Sequence, residues 1–216
     1  MLIDRMLAVC LIAAPVVMTA AEAVRLSIPS AESDAAKLAV IAAQRGTWEV
    51  FAWLTLALAL AWTGAAIGLT QAVREHRPCA AALGGVVMLT GAVAFAMHQM
   101  QYVEVNAVLS SSPDYHRVAD QVGISGTSME DATVVIQLVG LWLGPIVLAA
   151  ALARADLLAW WKFACVPTWV VLFVFTGSIS VVFAAVHLLL LPPFLAAAQL
   201  LSAPDRDRSE LLAQRS

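Results

Sequence analysis

Apolar positions in this chain come in runs far longer than a soluble helix needs. From Phe163 to Pro204, forty-two residues pass without an Asp, Glu, Lys or Arg. At ~1.5 Å of rise per residue that is about 63 Å of helix, twice the roughly 30 Å hydrocarbon core of a bilayer. The run is therefore expected to cross, turn at Gly177-Ser178 and cross back. Val50–Val73, Pro78–Val103 and Ala132–Ala153 are equally free of charge and each reaches spanning length. With the apolar run Met6–Ala21, the pattern predicts an all-α fold, a polytopic transmembrane bundle of six spans. These fall at about 6-24, 48-73, 79-103, 132-153, 157-176 and 178-202, with a short charged tail over 205-216.

The first run has a second reading. It follows Asp4 and Arg5, and Ala21-Glu22-Ala23 has the small-x-small form of a signal-peptidase site. The flank is barely basic, however, and Pro15 sits in mid-run. Retention as the first span is the reading adopted, with Glu22 at the interface.

Between the spans lie two connections of real size. Within the first, Ala31 to Gln44 is expected to form a short helix capped by Ser33, with Ala35, Leu38, Ile41 and Ala42 on one face. Such a helix would lie on the outer membrane surface. The third connection, from about Glu104 to Asp131, is polar and rich in turn residues.

Composition supports the same class: 62% of residues are hydrophobic and 12% charged, against roughly 25% charged in an ordinary soluble domain. A net charge of −3 with no Lys/Arg-rich run gives no footprint for nucleic acid. Cys10, Cys79 and Cys165 read as small apolar residues and not as a disulfide or metal framework. Counting Lys and Arg by connection puts eight on the side of both termini and four on the other. The positive-inside rule then makes both termini cytoplasmic. Trp160 and Trp161 beside Lys162 suit a cytoplasmic interface, and Trp48 and Trp53 an outer one.

Helices in lipid associate by close contact, so small residues mark the seams. Gly64/Gly68 and Gly140/Gly144 are both G-x-x-x-G pairs, and Gly84, Gly85 and Gly91 line the third span. Packing inside one bundle is the simpler reading, and a homo-oligomer seam the alternative. Pro145, Pro167 and Pro192-Pro193 are expected to kink their spans, leaving the last one bent and not broken. No convincing repeat relates the two three-helix halves, which weakens an inverted-repeat transporter reading.

Little chemistry is available. His98 and His187 are the only titratable groups expected well inside the spans, at ~8 Å and ~14 Å from the outer ends by helical rise. Gln99, Gln101, Tyr102 and Glu104 follow His98, with Tyr102 four residues on and so on the same face. Three readings compete. The plainest is that the histidines tie helices together, bonding to groups such as Thr90, Ser178 or Ser180. The second is an outward-facing pocket for a small ligand or ion, built from His98, His187, Gln99 and Tyr102, with Glu22, Glu49 and Glu104 near its rim. The third is a haem or metal held by both histidines, which requires the third and sixth spans to be neighbours. The outer acidic groups Glu22, Glu49, Glu104 and Asp131 are expected to gather around one mouth, with the other face nearly closed.

There is no G-x-S-x-G, no Walker sequence and no G-x-G-x-x-G, and the cytoplasmic connections are too short for a soluble catalytic domain. Enzyme activity is not expected, and neither is a resident cofactor. Leu11–Arg25, the G-L-W-L-G-P-I-V-L-A-A-A-L-A-R stretch at Gly140–Arg154 and L-L-L-L-P-P-F-L at Leu188–Leu195 together resemble small bacterial membrane proteins of a domain-of-unknown-function type. That resemblance implies a six-helix bundle in a bacterial plasma membrane and carries over no activity and no functional residue. The expected function is small-ligand or ion binding related to transport. An accessory subunit without a ligand is the alternative, and a two-histidine redox protein comes third.

Overall fold

The computed structural model describes residues 2–111, 114, 128–176 and 181–203. Within them the chain is a helical bundle without strands. Its elements are α1 (Leu2–Leu26), α2 (Asp34–Ala43), α3 (Arg45–Arg74), α4 (Pro78–Ser110), α5 (Ser128–Arg154), α6 (Trp160–Phe175) and α7 (Val181–Val186). A 3₁₀ turn (His187–Leu190) then leads into α8 (Leu191–Ser202). Five helical stretches are long and apolar enough to cross a membrane, the last being the continuous Val181–Ser202, and α6 is a shorter apolar helix of 16 residues. Large apolar side chains stand exposed along the bundle, among them Val9, Leu60, Val86, Leu143 and Val174. Such a surface suits lipid, where an exposed apolar side chain loses nothing.

Two short connections set neighbouring helices antiparallel. After α3, Arg77 donates its backbone N–H to the Val73 carbonyl, and Pro78 opens α4 at a position whose N–H would be unsatisfied anyway. After α5, Asp156 takes a left-handed conformation (φ 58°), Leu157 N–H reaches back to Leu152 O at 3.0 Å and Asp156 N–H to Ala153 O. This is a Schellman stop with Asp in the place glycine usually fills. The Arg77 guanidinium donates to the Arg154 carbonyl at 3.1 Å, tying both turns at one end of the bundle. The α2 end is fastened by the Trp48 indole N–H, which donates to the Val103 carbonyl across α3 and α4.

Glycines place the helix pairs. A Cβ built on Gly140 would overlap the Gly91 backbone, and one on Gly144 the backbone and Cβ of Met88, so α4 and α5 touch main chain to main chain. Gly84 lies under Val147 and Leu148 of the same pair. Gly64 receives Cys10, Gly68 receives Leu11 and Leu201, and Gly85 receives Thr70. The faces at Gly64/Gly68 and Gly140/Gly144, weighed above as a homo-oligomer seam, are thus covered by the chain's own helices.

Several expectations need correction. Residues 34–43 are helical and Ser33 does cap them, its hydroxyl accepting the Ala36 N–H at 3.2 Å. Leu38 and Ile41, however, are buried, and α2 packs on α4 and α3. The helix therefore closes the end of the bundle instead of laying its apolar face on lipid, and Ala42 is exposed. α4 continues to Ser110, past the 103 at which charge ended the expected span. Continuous α-helix runs through Pro15, Pro145 and Pro167, which a proline kink allows. Only the double proline changes the helix type. Pro192 and Pro193 supply no N–H to the carbonyls four residues back, and the preceding turn tightens into the 3₁₀ form at His187–Leu190. The turn expected at Gly177-Ser178 lies outside the described residues, as do Arg206, Arg208 and Arg215 of the tail.

Candidate functional site

The candidate residues separate into three places. His187 is fully buried on the 3₁₀ turn. Trp169 of α6 donates its indole N–H to His187 Nδ1 at 3.0 Å, and Phe173 and Phe183 flank the ring at 5.8 Å and 5.3 Å between centroids. Trp62 and Phe194 extend the cluster through Trp169. A ring whose Nδ1 accepts carries its proton on Nε2 when neutral, and that Nε2 has no partner among the described residues. The elements packed on this turn are α1, α6, α7 and α8.

His98 stands elsewhere. It is half-buried on α4 and lies against Tyr102, four residues on, with ring centroids 6.4 Å apart. The helices packed on α4 are α2, α3 and α5. Neither histidine meets Thr90 in a hydrogen bond, and Ser178 and Ser180 lie outside the described residues. The structure thus gives each histidine its own surroundings instead of one shared polar site. Nδ1 of His187 is taken by an indole, and no group of three His, Cys, Asp or Glu is gathered among the described residues.

The second place is a cleft of about 240 Å³ between the α2-end halves of α3 and α4. Glu49 and Glu104 stand at it with Gln99, and Trp48, Trp53, Leu56 and Met100 form its apolar wall. Both helices are continuous here, so side chains at intervals of three and four residues line one groove: Glu49, Trp53 and Leu56 from α3, Gln99, Val103 and Ala107 from α4. Glu49 holds an exposed ion pair with Arg45 at 3.3 Å, of a kind worth little in water. Glu104 is exposed and makes no ion pair with a described side chain. The cleft has acid at its rim and aromatic and aliphatic surface below.

The third place lies on the other side of Trp48. A half-open cavity of about 220 Å³ is lined by the α1–α2 connection, α2 and the ends of α3 and α4. Arg25, Lys37 and Tyr102 line it. Glu22, expected at the rim of an outer pocket, pairs instead with Arg25 at 3.1 Å on its own helix. Asp131 is exposed at the start of α5, away from both lining sets. Of the seven candidate residues, the structure therefore brings Glu49, Gln99 and Glu104 together, puts Tyr102 between His98 and the third place, and leaves His187 and Glu22 apart.

Sequence reasoning missed Trp169, Lys37 and Asn106. Asn106 is buried, donates to the Tyr102 carbonyl at 2.5 Å and keeps an Oδ1 with no partner among the described residues. Its signal was the spacing of four from Tyr102 on a helix taken to end at 103. Trp169 gave none, since its only sequence feature is membership of an apolar run. Compared with known protein families, curated proteins and solved structures, the chain matches none.

Proposed function

We propose that this chain is a six-span protein of a bacterial plasma membrane, with both termini cytoplasmic, that binds a small cation with an apolar body in the cleft between α3 and α4. The cleft itself carries the reading: two carboxylates and an amide at the rim of a groove walled by two tryptophans and aliphatic side chains. Carboxylates attract positive charge, tryptophan faces favour a cation laid over them, and the wall takes apolar surface out of water. The positive-inside count supports an orientation in which this end faces outward.

Six crossings are supported by how the ends meet. α6 starts where α5 stops, beside the Arg77–Arg154 contact, and Leu201 near the end of α8 packs at Gly68, in the last third of α3. A chain that leaves and returns to one end crosses twice between. The 16 residues of α6 rise ~24 Å, short of the full hydrocarbon thickness, and local thinning of the bilayer accommodates such a helix.

Thermal unfolding of the detergent-solubilised protein with a series of alkylammonium ions tests the binding claim. A binder is stabilised by RT ln(1 + [L]/Kd), rising with alkyl length until the cleft is filled. Equal melting temperatures across the series would leave the chain a structural subunit and reject the reading. Orientation is tested separately with Cys introduced at Glu32 and at Glu75 in a background without Cys10, Cys79 and Cys165. Only position 32 is expected to react from outside intact cells.

A further inference from the structure

The cavity on the far side of Trp48 has the opposite electrostatic character, and nothing in the acidic cleft accounts for it. Its two charged lining residues, Arg25 and Lys37, are both basic, and no carboxylate lines it. The Lys37 ammonium sits 4.4 Å from the centroid of the Tyr102 ring, a wall of the same cavity. Lys37 forms no ion pair with a described side chain, while Arg25 is joined by Glu22. Ser30 adds a hydroxyl, and Ile41 and Phe51 give an apolar side.

We propose that this cavity binds a phosphate group. The arrangement argues for phosphate over a neutral polar ligand on three grounds. A guanidinium-bearing and an ammonium-bearing residue line one volume, and that pairing suits a tetrahedral anion with several acceptor oxygens. The charged groups that line the cavity are both cations, with no carboxylate among the lining residues. The ring beneath Lys37 holds the ammonium by a cation–π contact that leaves its donors available. Leu26 and residues 28–31 form one side of the site, and Leu38 and Ile41 anchor α2 to the bundle. At this depth, level with the outer end of α1, the phosphate comes either from a lipid headgroup, whose glycerol would meet Ile41 and Phe51, or from free inorganic phosphate. The proposal rests on a different cavity from the one assigned to a cation above, so either can fail alone.

The test uses the full chain in nanodiscs of phosphatidylcholine, with and without phosphatidylglycerol, and in detergent with inorganic phosphate. Lipid retained on the protein is counted by native mass spectrometry, and phosphate binding is read as a thermal shift. Lys37→Gln and Arg25→Gln are compared with Lys162→Gln, a charge at the opposite end. Preferential retention of phosphatidylglycerol, weakened about tenfold by Lys37→Gln and untouched by Lys162→Gln, is the expected result for a lipid source. A shift with inorganic phosphate, lost in Lys37→Gln, identifies the free anion. Lys37→Arg should restore either one. Binding of neither probe, or equal loss in Lys37→Gln and Lys162→Gln, would overturn the proposal, since the second pattern is that of general surface charge.

Discussion

One helix, α4, makes both the tightest seam in the protein and one wall of its acidic cleft. In its first half, Gly84, Gly85 and Gly91 bring the main chain against Leu148, Thr70 and Gly140. In its second half, Gln99, Met100, Val103, Glu104 and Ala107 face α3 across a cleft of about 240 Å³. Where the side chain is a hydrogen, helices meet backbone to backbone and gain dispersion contacts, the main attraction available in lipid. Where it is long and polar, the helices stand apart and the gap is left for something else. On this account stability concentrates at the glycine seam, and the cation site we propose lies at the open end.

The largest effect should come from filling the seam. Gly140→Leu would drive a side chain into the Gly91 backbone, which cannot rotate away. The cost should reach or exceed about 3 kcal/mol, the upper range for overpacking, or the variant should fail to assemble, as read by thermal unfolding in detergent. Gly46→Ala, with nothing near the added carbon, should change stability by less than about 1 kcal/mol. If both behave alike, the seam does not concentrate stability.

Next comes the His187 cluster. Trp169→Phe keeps the ring packing but strips Nδ1 of its donor, and should cost about 1–2 kcal/mol. His98→Ala, on a half-buried ring stacked on one neighbour, should cost less than about 0.5 kcal/mol. Equal losses at the two would mean that His98 holds helices as His187 does. Smaller and local is the Ser33→Ala effect. Losing the bond to the Ala36 N–H should loosen α2 by about 1 kcal/mol, seen as faster amide exchange over 34–43 with the seam unaffected.

The contrast between the two halves of α4 also marks what the sequence could tell. Glycine spacing is a property of one helix, so Gly140/Gly144 and Gly91 were readable as contact faces; which faces pair depends on the whole bundle. The helix over 34–43 and its Ser33 cap were legible because capping is local. Its docking was not, since Leu38 and Ile41 suit lipid and protein equally. Charge marked where hydrocarbon should end, but a helix need not stop there, and so Asn106 was taken for a loop residue. His98 and His187 drew attention by depth alone, and depth says nothing about position around the bundle. Glu49 and Glu104 were named as rim residues, and they are the part of the candidate site that the fold gathers.

Occupancy of that cleft can be read directly, because Trp48 and Trp53 form its wall. Titrating the solubilised protein with a quaternary alkylammonium ion should give saturable change in tryptophan fluorescence. The Trp53→Phe variant should lose most of the signal. Glu49→Gln combined with Glu104→Gln should abolish saturation while leaving the melting temperature of the unliganded protein unchanged. An identical titration curve in the double carboxylate variant would contradict the assignment of this cleft to a cation.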